Sequence, residues 1–447
     1  MKSIKKIIYK KLFNNNLNIG NKFFLIGILF LPSALPIGAF FLLLSLIISF
    51  LSNKDKILKN KWNFLFLIWV LGVLFSSTYN TFISPPKALL EIDKFLVWIN
   101  LFNWIPIFFA YLGFQKYLKS EKQIILFIKF LISGTIPVIA SAIMQKHFNI
   151  YGPFETLFGS VVWFNYSNFN VLPPFRVTGL FNNPNYLAIW LVMCLPFSLA
   201  AIKLKNNNFN QIIVYLINLL IIYFAVLTLS RNAILGIVIS FFIILDKKKL
   251  IYFSIFLFTS SLIFSYVLPT ILDIEFAKII NFSPFERFGE VFSLSFNSNH
   301  PRLIIWKNTI DLISKRPFLG WGAGTFPYTS IYFVEPTLKS YQHSHNLLFE
   351  LAYSFGIPLT FLIGSTTTRM LLLGFKKINN FNKFLSNDFL YKPFLAAILI
   401  FLVTHMSDVT YFDGKISILF SVLLAGLKNI IENKDDLFYK KYPAIKN

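Results

Sequence analysis

QIIVYLINLLIIYFAVLTLSRNAILGIVISFFIIL, residues 211–245, is two apolar runs with almost nothing between them. Ser230, Arg231 and Asn232 are the only clearly polar residues at the join, so the chain leaves one hydrophobic segment and enters the next without a soluble loop. An ionisable residue held at such a boundary is costly unless it is paired, snorkels to lipid phosphate or faces a polar cavity. Arg231 is therefore either a lipid-phosphate contact or part of a functional site.

Outward from this pair, comparable apolar segments recur at 23–36, 37–51, 62–78, 95–113, 123–142, 187–202, 251–270, 346–372, 389–406 and 416–430, making twelve in all. Hydrocarbon about 30 Å thick is crossed by helices, because only a helix satisfies its own backbone polar groups there. With 56% hydrophobic and 14% charged residues, against about 25% charged in soluble proteins, the expectation is an all-α integral membrane protein. Residues 1–447 read as a single polytopic membrane domain. The first pair of segments is a short hairpin, since Pro32 and Pro36 interrupt 23–51 and lysines flank both ends. The net charge of +23 belongs to basic inner loops, so nucleic acid is excluded as a partner. Cys194 is the only cysteine, which excludes disulfides and a Cys-based metal site. The first apolar stretch is too long for a signal-peptide core and lacks a small-residue cleavage site.

Twelve spans give cytoplasmic N and C termini. The loops then fall into an inner group with 27 basic residues, counting Lys428 with the C-terminal tail, and an outer group with 13. That is the direction the positive-inside rule requires. Every basic residue of the inner group is lysine, whereas Arg176, Arg231, Arg287, Arg302 and Arg316 lie outside and Arg369 falls late in segment ten. Where a generic charge suffices this chain uses lysine; arginine is kept where a planar fork grips phosphate or carboxylate. For Arg287 and Arg316, ordinary salt bridges with Glu286 and Glu290 are the alternative.

Four outer stretches carry chemistry. RVTGLFNNPNYLA (176–188) holds a turn at Asn182, Asn183, Pro184 and Asn185 before a membrane helix, where Asn183 or Asn185 is expected as a cap. Capping does not explain Arg176. The large outer loop, 271–345, contains NHPRLIIWKNTIDLISKRPFLGWGAGTF (299–326). Pro301 followed by Leu303, Ile304, Trp306, Ile310 and Ile313 predicts an amphipathic helix on the membrane surface. Its N-terminal end places Arg302 beside free N–H groups, a favourable site for an anion. GWGAG (320–324) lacks a preceding strand and reads as a tight turn, not a nucleotide loop.

YQHSHNLLFELAYSFGIP (341–358) places His345 beside Asn346, and His345 is the best general-base candidate among five histidines. His343 reads as a solvated loop residue. The spacing of His343 and His345 is not that of a helical ligand pair, so no metal is expected. In THMSDVTYFDGK (404–415), His405, Asp408 and Asp413 either orient an acceptor or bind water.

RVTGLFNNPN (176–185), TLSRNAILG (228–236), RLIIWKNTIDLISKRPFLGWGAGTF (302–326) and HSHNLLFELAYSFGIP (343–358) together resemble the O-antigen ligase and polymerase superfamily, over a region spanning 176–358. The ligase pattern is His-Asn, nine residues, then Gly-x-x-Gly. His345, Asn346 and Gly356 fit it, and Leu359 replaces the last glycine, which weighs against ligase relative to polymerase. The resemblance implies a GT-C-like fold in a bacterial inner membrane with its site facing the periplasm. It implies an undecaprenyl-diphosphate-linked glycan donor and, as acceptor, lipid A core or a growing glycan, with inverting displacement and no nucleotide sugar or other cofactor. By the same resemblance His345 is the catalytic histidine, Arg231 and Arg302 are diphosphate ligands with Arg176 a third, and Asn346 or Asp408 orients an acceptor. The rival reading is a transporter of a small anion such as bicarbonate, but the sequence has neither a clear inverted repeat nor paired interrupted helices with ionisable residues at mid-membrane.

Overall fold

The computed structural model describes residues 18–52, 59–86, 93–156, 159, 161–163, 176–204, 208–245, 301–333, 341–381 and 388–432. Its first helices are α1 (Asn18–Phe30), α2 (Leu35–Leu51), α3 (Lys61–Thr78, prolonged by a π turn to Ile83), α4 (Leu96–Asn100), α5 (Ile105–Phe114) and α6 (Glu121–His147). A small antiparallel hairpin follows, β1 (Phe154–Thr156) with β2 (Val161–Trp163). Then come α7 (Pro184–Ala201), α8 (Asn208–Leu227), α9 (Arg231–Ile244), α10 (Pro301–Lys315), α11 (Phe326–Phe333), α12 (Leu347–Phe355), α13 (Ile357–Phe381), α14 (Lys392–Thr404) and α15 (Gly414–Glu432).

Among the described residues, six helical stretches are long and apolar enough to cross a membrane: Lys61–Ile83, Leu96–Tyr117, Glu121–His147, Pro184–Ala201, Ile357–Ile378 and Gly414–Glu432. α1, α2, Gln211–Leu227 of α8 and α9 are apolar but shorter. Eleven of the twelve expected segments coincide with helices; 251–270, like Glu286, Arg287 and Glu290, lies outside the described residues. The early run 23–51 is broken at Leu31–Ala34, which contains Pro32, as its prolines require.

Segment ten needs correction. Read as one span over 346–372, it is two helices. α12 ends at Gly356, whose φ of +89° is left-handed. A Cβ there would lie 2.1 Å from the carbonyl oxygen of Phe318, so only glycine allows this corner. α13 restarts at once and carries the span. Leu359, at the position of the expected glycine, is accommodated by α3: a Cβ on Gly72 would meet the Leu359 side chain at 2.3 Å.

α7 lies at the centre, packed by α6, α8, α9 and α14. It is apolar on every side, as befits a helix enclosed by others. Gly236 on α9 allows close approach, since a Cβ there would meet Val192 of α7 at 2.6 Å.

The connections collect at two ends of the bundle. At one end Lys116 donates to the Ser49 carbonyl and to Ser52 Oγ (2.9 Å), and Asn60 donates to Glu432. Asn429 there donates to the carbonyls of Gln115 (2.7 Å) and Leu118 (3.1 Å), and Lys428 pairs with Glu432 at 2.7 Å. These are stretches that the charge count groups on one side. The segments 176–185, 228–232, 343–347 and 404–415 meet at the other end.

Candidate active site

The turn 405–408 that follows α14 is where four distant parts of the chain are tied together. Ser407 Oγ donates to Asn232 Oδ1 (2.9 Å), and Asn232 Nδ2 donates to the Thr404 carbonyl (3.4 Å), fixing the start of α9 and hence the backbone that carries Arg231. Asn346 caps α12 by accepting the N–H groups of Leu348 and Phe349, and its Nδ2 donates to the Met406 carbonyl at 2.9 Å. The Leu347 N–H donates to the His405 carbonyl at 2.8 Å.

The loop before α7 joins the same turn. Asn183 is the cap, accepting the Asn185 N–H, and this frees the Asn185 side chain for another task. Asn185 Nδ2 donates to Asp408 Oδ2 (2.8 Å), while its Oδ1 accepts from Arg176 Nη2 (2.7 Å). Arg176 Nε donates in turn to the Thr228 carbonyl at 2.8 Å. Lys415 donates to the Leu180 carbonyl at 2.8 Å and lies over the Phe181 ring, holding the loop against α15.

Asp408 Oδ1 also meets His345 Nδ1 at 3.0 Å and accepts the Val409 N–H at 3.0 Å. Burial alone would raise the Asp408 pKa. The hydrogen bond from His345 and the charges of His345, Arg302 and His343 outweigh it and bring Asp408 down to about 2. A carboxylate at Nδ1 selects the tautomer that leaves Nε2 as a proton acceptor. The His345 side chain is 24% exposed against 8% for Asp408, so a buried acid backs a histidine open to a ligand.

His343 is not the solvated residue that its loop position suggests. Its ring lies 4.4 Å from that of His345, and its Nδ1 accepts the His345 N–H at 3.3 Å. Burial, with the charges of His345 and Arg302, lowers its pKa to about 4 although Asp408 opposes the shift, so it is neutral at ordinary pH. The ligand atoms of His343, His345 and Asp408 lie within 4.8 Å of one another, compact enough for a metal. Asp408 is already engaged by His345, Asn185 and Val409, and the positive charge of Arg302 acts on the same spot and opposes a further cation.

His405 and Asp413 take structural roles. His405 is fully buried, donating from Nδ1 to the Phe401 carbonyl (2.8 Å) with Nε2 on the Thr410 hydroxyl (3.0 Å). Asp413 accepts the N–H groups of Lys415 and Ile416 at the start of α15.

α10 forms as expected from Pro301, and the charge of Arg302 in its first turn reaches His343 and Asp408. Its buried face is Ile305, Thr309, Leu312 and Ile313, packed with Trp321, Phe326 and Tyr353, whereas Ile304 and Ile310 are exposed. GWGAG is a turn pinned to the end of α12, with the Trp321 and Gly322 N–H groups donating to the carbonyls of Tyr353 (2.8 Å) and Ser354 (3.0 Å). Arg316 contacts neutral groups: Nη1 donates to Asn80 Oδ1 (3.0 Å) and the Ser84 carbonyl (2.9 Å), and the guanidinium lies over Trp321. Its role here is to fasten α10 to α3.

An apolar cleft of about 100 Å³ is lined among others by Trp69, Trp104, Ile363 and Tyr411 and, from the start of α12 and the turn after α14, by Leu348 and Met406. The site thus combines a histidine–carboxylate pair, arginines from separate connections and an apolar slot. Arg176, Arg302, His345, Asn346 and Asp408 are brought together by hydrogen bonds or charge, and Arg231 stands exposed on the helix start next to Asn232. Asn185 as a link and Glu350 beneath the histidine loop escaped the sequence reading.

Residues 216–364 match a family model described as O-antigen ligase. That stretch includes Arg231, Arg302 and His345, while Arg176, Asn185 and Asp408 lie outside it. A comparison with curated proteins gives no match.

Proposed function

We propose, from the match of residues 216–364 to the O-antigen ligase model, that this chain is a transferase of the O-antigen ligase and polymerase superfamily. It moves or polymerises an undecaprenyl-diphosphate-linked glycan on the periplasmic face of the inner membrane. The match and the apolar helices support a multi-pass membrane enzyme of ligase or polymerase type, acting on a lipid-linked glycan and an acceptor. The observation that carries the finer reading is the His345–Asp408 pair, with Nδ1 committed to a buried carboxylate at 3.0 Å and the ring partly open.

In this mechanism His345 Nε2 takes the proton of the acceptor hydroxyl as its oxygen attacks the anomeric carbon. The bond from that carbon to the diphosphate oxygen breaks, the electron pair leaves with the diphosphate, and Arg231 and Arg302 neutralise the charge that develops. Arg176 holds Asn185 and through it Asp408, while adding positive potential as a third guanidinium. The apolar cleft takes part of a lipid chain. The arginines supply the positive charge a metal would otherwise bring, so the mechanism needs no metal ion.

Glycan analysis of a deletion strain tests this. Loss of all polymer on lipid A identifies a ligase, and a single repeat unit on lipid A identifies a polymerase. Unchanged surface glycans with impaired bicarbonate uptake overturn the proposal in favour of anion transport.

A further inference from the structure

Glu350 takes no part in the mechanism above, yet it is 1% exposed and lies directly beneath the histidine loop. Its Oε2 accepts the Ser344 N–H at 2.9 Å, and Ser344 Oγ donates to the Asn346 carbonyl at 2.9 Å. Between these two anchors His345 has a φ of +54°. A non-glycine residue holds the left-handed region at an energetic cost and keeps it only when its surroundings enforce it. Ser344 is fully buried, so its N–H must have a partner, and the partner it has is a carboxylate.

The same carboxylate is coupled to the imidazole by charge. Burial pushes the Glu350 pKa up to about 7, offset in part by the hydrogen bonds of Ser344 and the charge of His345. Coupling is mutual: a carboxylate favoured by a protonated His345 favours that protonated imidazole equally. Behind Glu350, Tyr353 of α12 feels its charge and is tied to Thr325 and Thr329. From α10, Arg302 acts on His343 and Asp408; Arg316, which is linked to Tyr79 of α3, acts on Tyr353.

We propose that Glu350 is a positioning residue, which holds the loop of His345 in its left-handed turn and, as a carboxylate, favours the imidazolium formed when the acceptor loses its proton. The proposal rests on the transferase reading for its effect on rate, and on the Ser344 hydrogen bonds, the left-handed turn and the charge of His345 for the coupling.

Two measurements on the full-length protein test it. In pH profiles of lipid-linked glycan transfer, Glu350→Gln lowers kcat about tenfold, leaves KM for the donor within about twofold and moves the rising limb to lower pH, because the site loses an anion. Glu350→Asp keeps the limb in place. An unchanged kcat, or a fall with an unmoved limb, overturns the proposal, since a merely structural role scales the whole profile.

The second readout needs no turnover. The infrared carboxyl C=O band of the wild-type protein titrates near neutral pH, and this titration moves upward in His345→Gln. A band that ignores that substitution overturns the coupling. If the wild type transfers no lipid-linked glycan, the functional reading fails while the infrared result still decides the role of Glu350.

Discussion

The two ends of the bundle handle positive charge differently. At one end, lysines close on carbonyl oxygens or on acids one helical turn away: Lys116 on Ser49, Lys392 on Asp388 at 2.8 Å, and Lys428 on Glu432 at 2.7 Å. At the other, Arg176, Asn185, Asp408 and His345 form a continuous chain across the loop before α7, the turn after α14 and the start of α12. A local pair needs only a point charge and is worth little, about 0.3–0.5 kcal/mol for an exposed i,i+4 pair. A relay over four side chains needs fixed planes and fixed donors, which is where arginine and amide side chains differ from lysine. The contrast separates local pairs from a relay that joins distant parts of the chain, and in the proposed mechanism only the relay serves chemistry.

Substitutions at the two ends are expected to differ in their effect on transfer. Asp408→Asn removes the carboxylate that sets the His345 tautomer, and transfer by membranes containing the variant is expected to fall about a hundredfold or more. Arg231→Lys keeps the charge and loses the fork, lowering kcat about 10²-fold without affecting insertion, as read from membrane-fraction yield beside transfer rate. Asn185→Ala cuts the link between Arg176 and Asp408 and lowers kcat about tenfold, with the cap at Asn183 leaving α7 intact. Lys428→Met, at the opposite end, leaves transfer within about twofold and shifts the apparent melting midpoint by no more than a few degrees. Losses at the lysine end equal to those at the arginine end would abolish the distinction.

A stability measurement adds a pH dependence. Burial raises the Glu350 pKa from 4.5 to about 7, so the folded state holds a proton that the unfolded state has released. This group's contribution is greatest below about pH 4.5 and is lost as pH rises towards 7. The midpoint of thermal unfolding in detergent is expected to decline across that window in the wild type and to decline less in Glu350→Gln.

The helices were legible because apolar runs in lipid form helices, and the arginines of the site were legible because this sequence uses lysine for most generic charges. The relay was not legible. Asp408 is 63 residues from His345, so no local pattern joins them. Asn185 read as a cap because Asn183 and Asn185 are equally good caps on sequence, and only the fold assigns Asn183 to the backbone. Glu350 disappeared inside a segment read as one span; the left-handed corner at Gly356 removes α12 from that span and buries its acid beneath the loop. On α10, Leu303, Ile304 and Ile305 are all apolar, so the sequence alone did not show that packing on α12 takes Ile305. Leu359, the departure that weighed against a ligase, is matched by the space at Gly72.

Single-turnover transfer with the purified chain in liposomes, comparing wild type with His345→Ala, tests the proposed role of His345, backed by Asp408, as the proton acceptor in glycosyl transfer from a lipid diphosphate. A fall in the rate of about 10²–10⁴-fold, with donor binding retained, is the result predicted. Transfer by His345→Ala at the wild-type rate would contradict it.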